Sequence, residues 1–229
     1  TVNEGTLTVP RRVNAGLTTI AAGATLGISP GGPVGDPSAT SDFNEANFVL
    51  TGGSAPTGRL DVHKNGVVFD YISSSPSATV RAQIVSGYAG GNWTGNGITS
   101  SAAAADPTGH AVGYAEASEV GSPSSFLGQS VDATAVLVRY TRVGDADLNG
   151  TTDLVDFGRL AINFNNAGQW VTGDFNFDGN TNLNDFSLLA LNFNQSALGS
   201  LPRGTAVPEA GVGLMGLIGT AVLARRRRG

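Results

Sequence analysis

Two twelve-residue runs carry oxygen-bearing side chains at matching intervals. The first is DADLNGTTDLVD, Asp145 to Asp156, and the second is DFNFDGNTNLND, Asp174 to Asp185. Superposed, they align Asp145 with Asp174, Asp147 with Asn176, Asn149 with Asp178, Thr151 with Asn180, Asp153 with Asn182 and Asp156 with Asp185. Carboxylates and amides at positions one, three, five, nine and twelve, with glycine at six (Gly150, Gly179), match the donor pattern of a calcium loop. Calcium is a hard cation that takes six to eight oxygens at about 2.3–2.6 Å, and alternate residues of a tightly curled loop can turn theirs inward. The two glycines permit the sharp turn because they have no Cβ. Position seven, Thr151 or Asn180, would add its backbone carbonyl. Asp156 and Asp185 would close the shell from the first turn of a following helix. Asp stands there in place of the template's Glu and is one methylene shorter, so bidentate closure brings the helix nearer the ion. The expectation is two Ca²⁺ ions, one per loop.

The segments after the loops repeat as well. FGRLAINFNN follows the first and FSLLALNFNQ the second, so Phe157, Leu160, Ala161 and Phe164 recur at helical spacing, as do Phe186, Leu189, Ala190 and Phe193. Each unit is therefore a loop plus one short amphipathic helix. The helix that enters an EF-hand is missing: AVLVRYTRVG before the first loop reads as a strand, and AGQWVTG before the second is too short and Gly-broken for a helix.

This duplicated loop-helix resembles a type I dockerin from Gly144 to about Gln195. The resemblance implies a small calcium-folded module that docks onto a cohesin-like protein domain, as dockerins tie polysaccharide-degrading enzymes to a scaffold. The ligand positions match in both loops. Where dockerins often carry Ser-Thr at positions ten and eleven, this chain has Leu154-Val155 and Leu183-Asn184. The basic pair further along the helix is replaced by Ala161-Ile162 and Ala190-Leu191.

Composition narrows the function classes. Charged residues are only 14% of 229 and 33 are glycine, which suits a Gly/Ser/Thr-rich β structure better than a helical enzyme. Cysteine is absent, so neither disulfides nor thiolate metal sites are available. The net charge is −5 despite four terminal arginines, and no basic patch outside that cluster offers a nucleic-acid footprint. His63 and His110 are far apart in sequence; His63, in a polar strand, reads as solvated and His110 as part of a turn. No GxSxG elbow occurs, and the carboxylates upstream of the loops, Glu116 and Glu119 included, lie in flexible contexts. No enzymatic activity is expected.

Residues 1–142 are expected to be mostly β. Short β-prone runs such as TLTVP, LTTIAAGATLGIS and RLDVHKNGVVFDY alternate with turn residues and read as rungs of a parallel β-solenoid end, with a sandwich as the other reading. A short helix is expected over Ala82 to Tyr88 and another from Ser101, with Trp93 as an anchor between them. HAVGYAEAS and VDATAVLVRYTR read as two further strands, the second with Val131, Leu137, Arg139 and Thr141 on one face and Val136, Val138 and Tyr140 on the other. The GYxGGxWxGxGI run, the SSAAA and the VLVRYT before GDAD resemble the end of large surface proteins of planctomycete-type bacteria, in which solenoid repeats precede a dockerin-like module.

The calcium module is expected over 143–196 and a Ser/Gly/Pro linker over 197–207. From 208 to 229 the tail joins a Pro-Glu dipeptide, an apolar stretch from Gly211 to Ala224 and an arginine cluster, Arg225, Arg226, Arg227 and Arg228. As a helix the stretch would span roughly 21 Å, short of the about 30 Å hydrocarbon core, with the arginines held on the cytoplasmic side. This order resembles a PEP-CTERM sorting signal, recognised and cleaved by a membrane exosortase. Val207, Pro208 and Glu209 match it, and Ala210 replaces the usual second proline. Thr1 opens with neither an initiator Met nor a leader, so further chain is expected before it. The expectation is an exported bacterial cell-surface protein, transiently anchored in the inner membrane, whose calcium module mediates docking. The alternative is an accessory carbohydrate-binding or polysaccharide-degrading protein.

Overall fold

Alternating apolar and small polar residues, punctuated by glycine, produce short strands rather than helices in the first half of the chain. The structure, a computed structural model, describes residues 1–9, 17–28, 41–44 and 48–197. The linker from 198 and the sorting-signal residues Val207, Pro208, Glu209 and Arg225 to Arg228 lie outside the described residues.

The strands β1 (Thr6–Val9), β2 (Thr18–Ile20), β3 (Thr25–Ile28), β4 (Ser41–Asn44), β5 (Phe48–Leu50), β6 (Arg59–Asp61), β7 (Gly66–Asp70) and β8 (Gly97–Thr99) build three parallel stacks. Val2, β2 and β5 form the first, β1, β3, β6 and β8 the second, and β4 and β7 the third. From β2 to β7 the chain visits the stacks in a fixed rotation: first, second, third, then first again. In-register pairing aligns Leu7, Leu26, Leu60 and Ile98 into one apolar ladder. Its last three members are fully buried, because each coil covers the one before it.

Helix α1 (Ser77–Tyr88) interrupts the rotation and covers β8. It starts five residues before the expected Ala82. Pro76 sits at its N-cap, where a missing N–H costs nothing, so the Ser/Pro-rich approach is a helix start rather than a loop. Close approach depends on Gly87, where a Cβ would come within 2.1 Å of the Ile98 carbonyl oxygen. Helix α2 (Ser101–Ala105) is capped by Ser100, whose hydroxyl accepts from Ala103 N–H at 3.0 Å. Trp93 is buried as the sequence anticipates, edge-on to Tyr88 with centroids 5.1 Å apart.

Antiparallel pairing then closes the third stack. Strand β9 (His110–Glu116), the hairpin of β10 (Ser125–Phe126) and β11 (Gln129–Ser130), and β12 (Ala135–Arg142) follow, with β12 inserted between β7 and β9. Every residue of β12 except Arg142 is buried, so both faces are covered rather than one. Val131 precedes the strand and shares no face of it. The histidines also differ from expectation. His63 lies in the turn between β6 and β7, is half-buried, and has its Nδ1 enclosed without a partner. His110 begins β9, stacks on Tyr140 at 4.8 Å and pairs through Nδ1 with Asp106 at 2.8 Å.

Two-residue strands β13 (Thr151–Thr152) and β14 (Gln195–Ser196) pair with each other, and helices α3 (Leu154–Ile162) and α4 (Leu183–Asn192) complete the described chain. One continuous apolar cluster runs from Val2 through the stacked strands to Trp170, Phe175, Phe177 and Leu189. Described residues on both sides of the boundary expected between 142 and 143 contribute to this cluster. Among the described residues no helix is long and apolar enough to cross a membrane.

Candidate metal centre

Both loops begin where a strand or turn ends and close in the first turn of a helix. Gly150 and Gly179 have φ of +96° and +90°, the left-handed turn expected at position six. Asp153 caps α3 by accepting from Val155 N–H at 2.8 Å, and Asn182 caps α4 by accepting from Asn184 N–H at 2.8 Å. This places Asp156 and Asp185 in the first helical turn, pointing back into their loops. Asp156 Oδ1 accepts from the amides of Ala146 and Asp147 (2.8 and 3.2 Å), and its Oδ2 accepts from Asp153 N–H (2.8 Å). Asp185 repeats the pattern with Phe175, Asn176 and Asn182 (2.8, 3.2 and 2.9 Å).

The position-one carboxylates are held from behind. Asp145 Oδ2 accepts from Gly150 N–H at 2.9 Å and from the Thr141 hydroxyl, and its Oδ1 accepts from Asn149 N–H at 3.0 Å. Asp174 Oδ2 accepts from Gly179 N–H at 3.1 Å and from Arg81 at 3.2 Å. Asp174 Oδ1 is buried and has no hydrogen-bond partner. Asp145, Asp156, Asp174 and Asp185 are all fully buried.

In the first loop, Asp145, Asp147 and Asp156 bring one carboxylate oxygen each to within 4.8 Å of one another. Among the described residues this is the one such trio of His, Cys, Asp or Glu side chains. The second loop has Asn176 at position three, so its carboxylates form no equivalent trio. The remaining candidates spend one oxygen on the loop itself. Asn149 Oδ1 accepts from Thr151 N–H (2.7 Å), Asn176 Oδ1 from Asp178 N–H (2.9 Å) and Asp178 Oδ1 from Asn180 N–H (2.9 Å). Asp153 also accepts from the backbone of Asp156 in a capping box. Asn182 has both its oxygen and its amide engaged, the amide with Asp178 Oδ2 at 3.4 Å. Position nine of a calcium loop often works through water, and that role suits both residues. Thr151 is fixed by its pairing with Ser196, and Asn180 by a bridge to Ala167.

Electrostatics single out the same four carboxylates. Burial pushes Asp156 and Asp174 up to about 6 and raises Asp145 and Asp185; backbone amides oppose this at Asp156 and Asp185, with Arg139 opposing it at Asp145. Exposed Asp178 is lowered, chiefly by the Asn176 amide. A buried carboxylate left uncompensated takes a proton or requires a cation. Asp174 is compensated only in part, with Oδ2 held by Arg81 and Gly179 N–H and Oδ1 enclosed without a partner, and an all-oxygen donor set with no histidine or cysteine suits a hard divalent ion rather than zinc. The residues present therefore fit a hard, oxygen-preferring divalent cation.

Several residues around the loops were not anticipated from the sequence. Buried Arg139 donates to the Leu148 carbonyl at 2.6 Å, and Trp170 Nε1 donates to the Asp145 carbonyl at 2.7 Å. The available signal was at the even loop positions. Ala146 and Leu148, like Phe175 and Phe177, are apolar where a solvated loop would be polar. Comparison with protein-family models, with curated proteins and with solved structures found no match.

Proposed function

We propose that this chain belongs to an exported bacterial cell-surface protein in which stacked β coils space or display, and a two-calcium dockerin-like module docks onto a cohesin-like domain. The rotation of parallel strands and the Leu7–Leu26–Leu60–Ile98 ladder support a solenoid end for the β region. Asp145, Asp147 and Asp156 would hold the first ion with Asn149, Thr151 and Asp153; Asp174, Asn176, Asp178, Asn180 and Asp185 would hold the second, with Asn182 acting through water. The observation that carries the calcium reading is the enclosed, unpartnered Asp174 Oδ1, set in a loop that repeats the carboxylate trio's frame.

Docking is supported by what α3 and α4 leave uncovered. Leu154, Val155 and Ile162 on α3, and Leu183 and Leu191 on α4, are exposed, and Phe157 meets Phe186 edge-on across the two helices at 6.2 Å. Exposed apolar side chains gathered on adjacent helices mark a surface for a protein partner. The Val207-Pro208-Glu209 sequence and the arginine cluster Arg225 to Arg228 would direct export and surface delivery through an exosortase-like enzyme, with the apolar tail in the membrane until processing.

The test is capture of the full chain by a panel of immobilised cohesin domains, in calcium and in chelator. Capture in calcium that is lost in chelator is the expected result. Absence of capture in calcium across the panel would count against docking.

A further inference from the structure

The two loops have a second side. Their odd positions present oxygens, while the even positions Ala146, Leu148, Phe175 and Phe177 are buried. Leu148 and Trp170 sit over Gly113 of β9, where a Cβ would come within 2.7 Å of Leu148 Cδ2 and 2.5 Å of Trp170 Nε1. Phe177 stacks on Trp170 at 5.5 Å and packs against Tyr88 and Trp93 at 5.1 and 6.2 Å, Trp93 being in the core and Tyr88 of α1 packed against it. Polar contacts follow the same seam. Arg139 of β12 bonds the Leu148 carbonyl, Arg81 of α1 bonds Asp174, and Asn192 of α4 donates to the Thr108 carbonyl at 3.0 Å.

Leu148 and Phe177, both at position four, have φ of +60°. That left-handed conformation is costly for a residue with a side chain, and it persists only when the surroundings enforce it. In these loops two things can enforce it: ligation on one side and core packing on the other. The buried carboxylates repel one another without an ion, so core packing and the amide and Arg81 contacts to the carboxylates would then have to hold both loops closed.

We infer that the calcium loops are the closing layer of the β region's core, so that ion binding and the ordering of β9, β12 and α1 are one coupled event. The inference rests on the reading of the loops as calcium sites. It deepens that reading by making the docking unit an integral cap, not a detachable domain. Anything that binds only the closed form stabilises everything that closes with it.

The experiment is hydrogen exchange of the full chain, with calcium and after metal stripping in chelator, beside calorimetry of the same preparation. Removal of calcium should speed exchange about ten-fold or more in residues 110–116, 135–142 and 77–88, as well as in the loops. Heat of ion binding with exchange changing only in the loops would overturn the coupling and leave the calcium reading standing. Absence of heat would overturn both. In the same chain, Phe177→Ala should raise the calcium Kd about ten-fold or more although its side chain offers no oxygen. Phe177→Leu serves if the alanine variant does not fold, with a smaller rise expected, and an unchanged Kd in whichever variant folds would overturn the inference.

Discussion

Stripping metal from this chain should make it less stable as pH rises, the reverse of most carboxylate-rich surfaces. Asp156 and Asp174 move from 3.8 to about 6 on folding, because burial disfavours their charge. A carboxylate raised in the folded state contributes stability that is fully present below its unfolded pKa, near 3.8, and lost as pH climbs through about 6. At about 1.4 kcal/mol per pH unit, each would cost at most about 3 kcal/mol at neutral pH, and solvent reaching the loops reduces this to about 1–3 kcal/mol. Asp145 and Asp185 are raised too and act in the same direction. Only the part above about pH 4.5 separates that pH from neutrality, about 1–2 kcal/mol for each group, so the two give about 2–4 kcal/mol, and a chain of this size moves about 2–4 °C per kcal/mol. Thermal unfolding followed by circular dichroism should therefore give a metal-free Tm on the order of 4–16 °C lower at about pH 7.5 than at about pH 4.5. Millimolar calcium should erase the difference, since the ion replaces the protons and binds more tightly as the carboxylates ionise. A metal-free Tm that rises across this range, or a calcium-loaded Tm that falls by the same amount, would refute the reasoning.

Three further outcomes are expected. Asp156→Ala should abolish binding at the first site and Asp185→Ala at the second, and calorimetry of the pair should show the first site to be the tighter, since it offers four aspartates against three. Gly113→Val should destabilise the calcium-loaded chain by about 1–3 kcal/mol in urea unfolding, because its side chain would enter the space of Trp170 and Leu148, both buried. Leu154→Asp and Leu183→Asp, on exposed helix positions, should remove cohesin capture while leaving calorimetric calcium binding unchanged.

Much of this architecture was legible because its signals are local. Loop spacing, the glycines at position six and the helix starts all follow from short-range geometry, as did the strands of the first half and the burial of Trp93. The longer start of α1 was missed because SSSPSATV has a loop's composition, and only the packing of Val80, Ile84 and Gly87 makes it a helix. The outward face of α3 and α4 was hidden for the opposite reason. Phe157, Leu160 and Phe164 look like one buried stripe, yet Leu160 alone of the three is buried, as Leu189 is in α4. The core takes its aromatic contribution from the loops instead, through Phe175 and Phe177. Arg81 could not be placed beside the second loop from sequence, because α1 lies far along the chain from Asp174; Arg139 is only nine residues from Leu148, but which way its side chain turns from β12 depends on packing.

Titration calorimetry of the full, metal-stripped chain with calcium is the most direct test of the paired sites. Two ions bound per chain, falling to one in Asp156→Ala, is the expected result. No heat of binding, together with an unchanged circular dichroism spectrum on adding calcium, would contradict it.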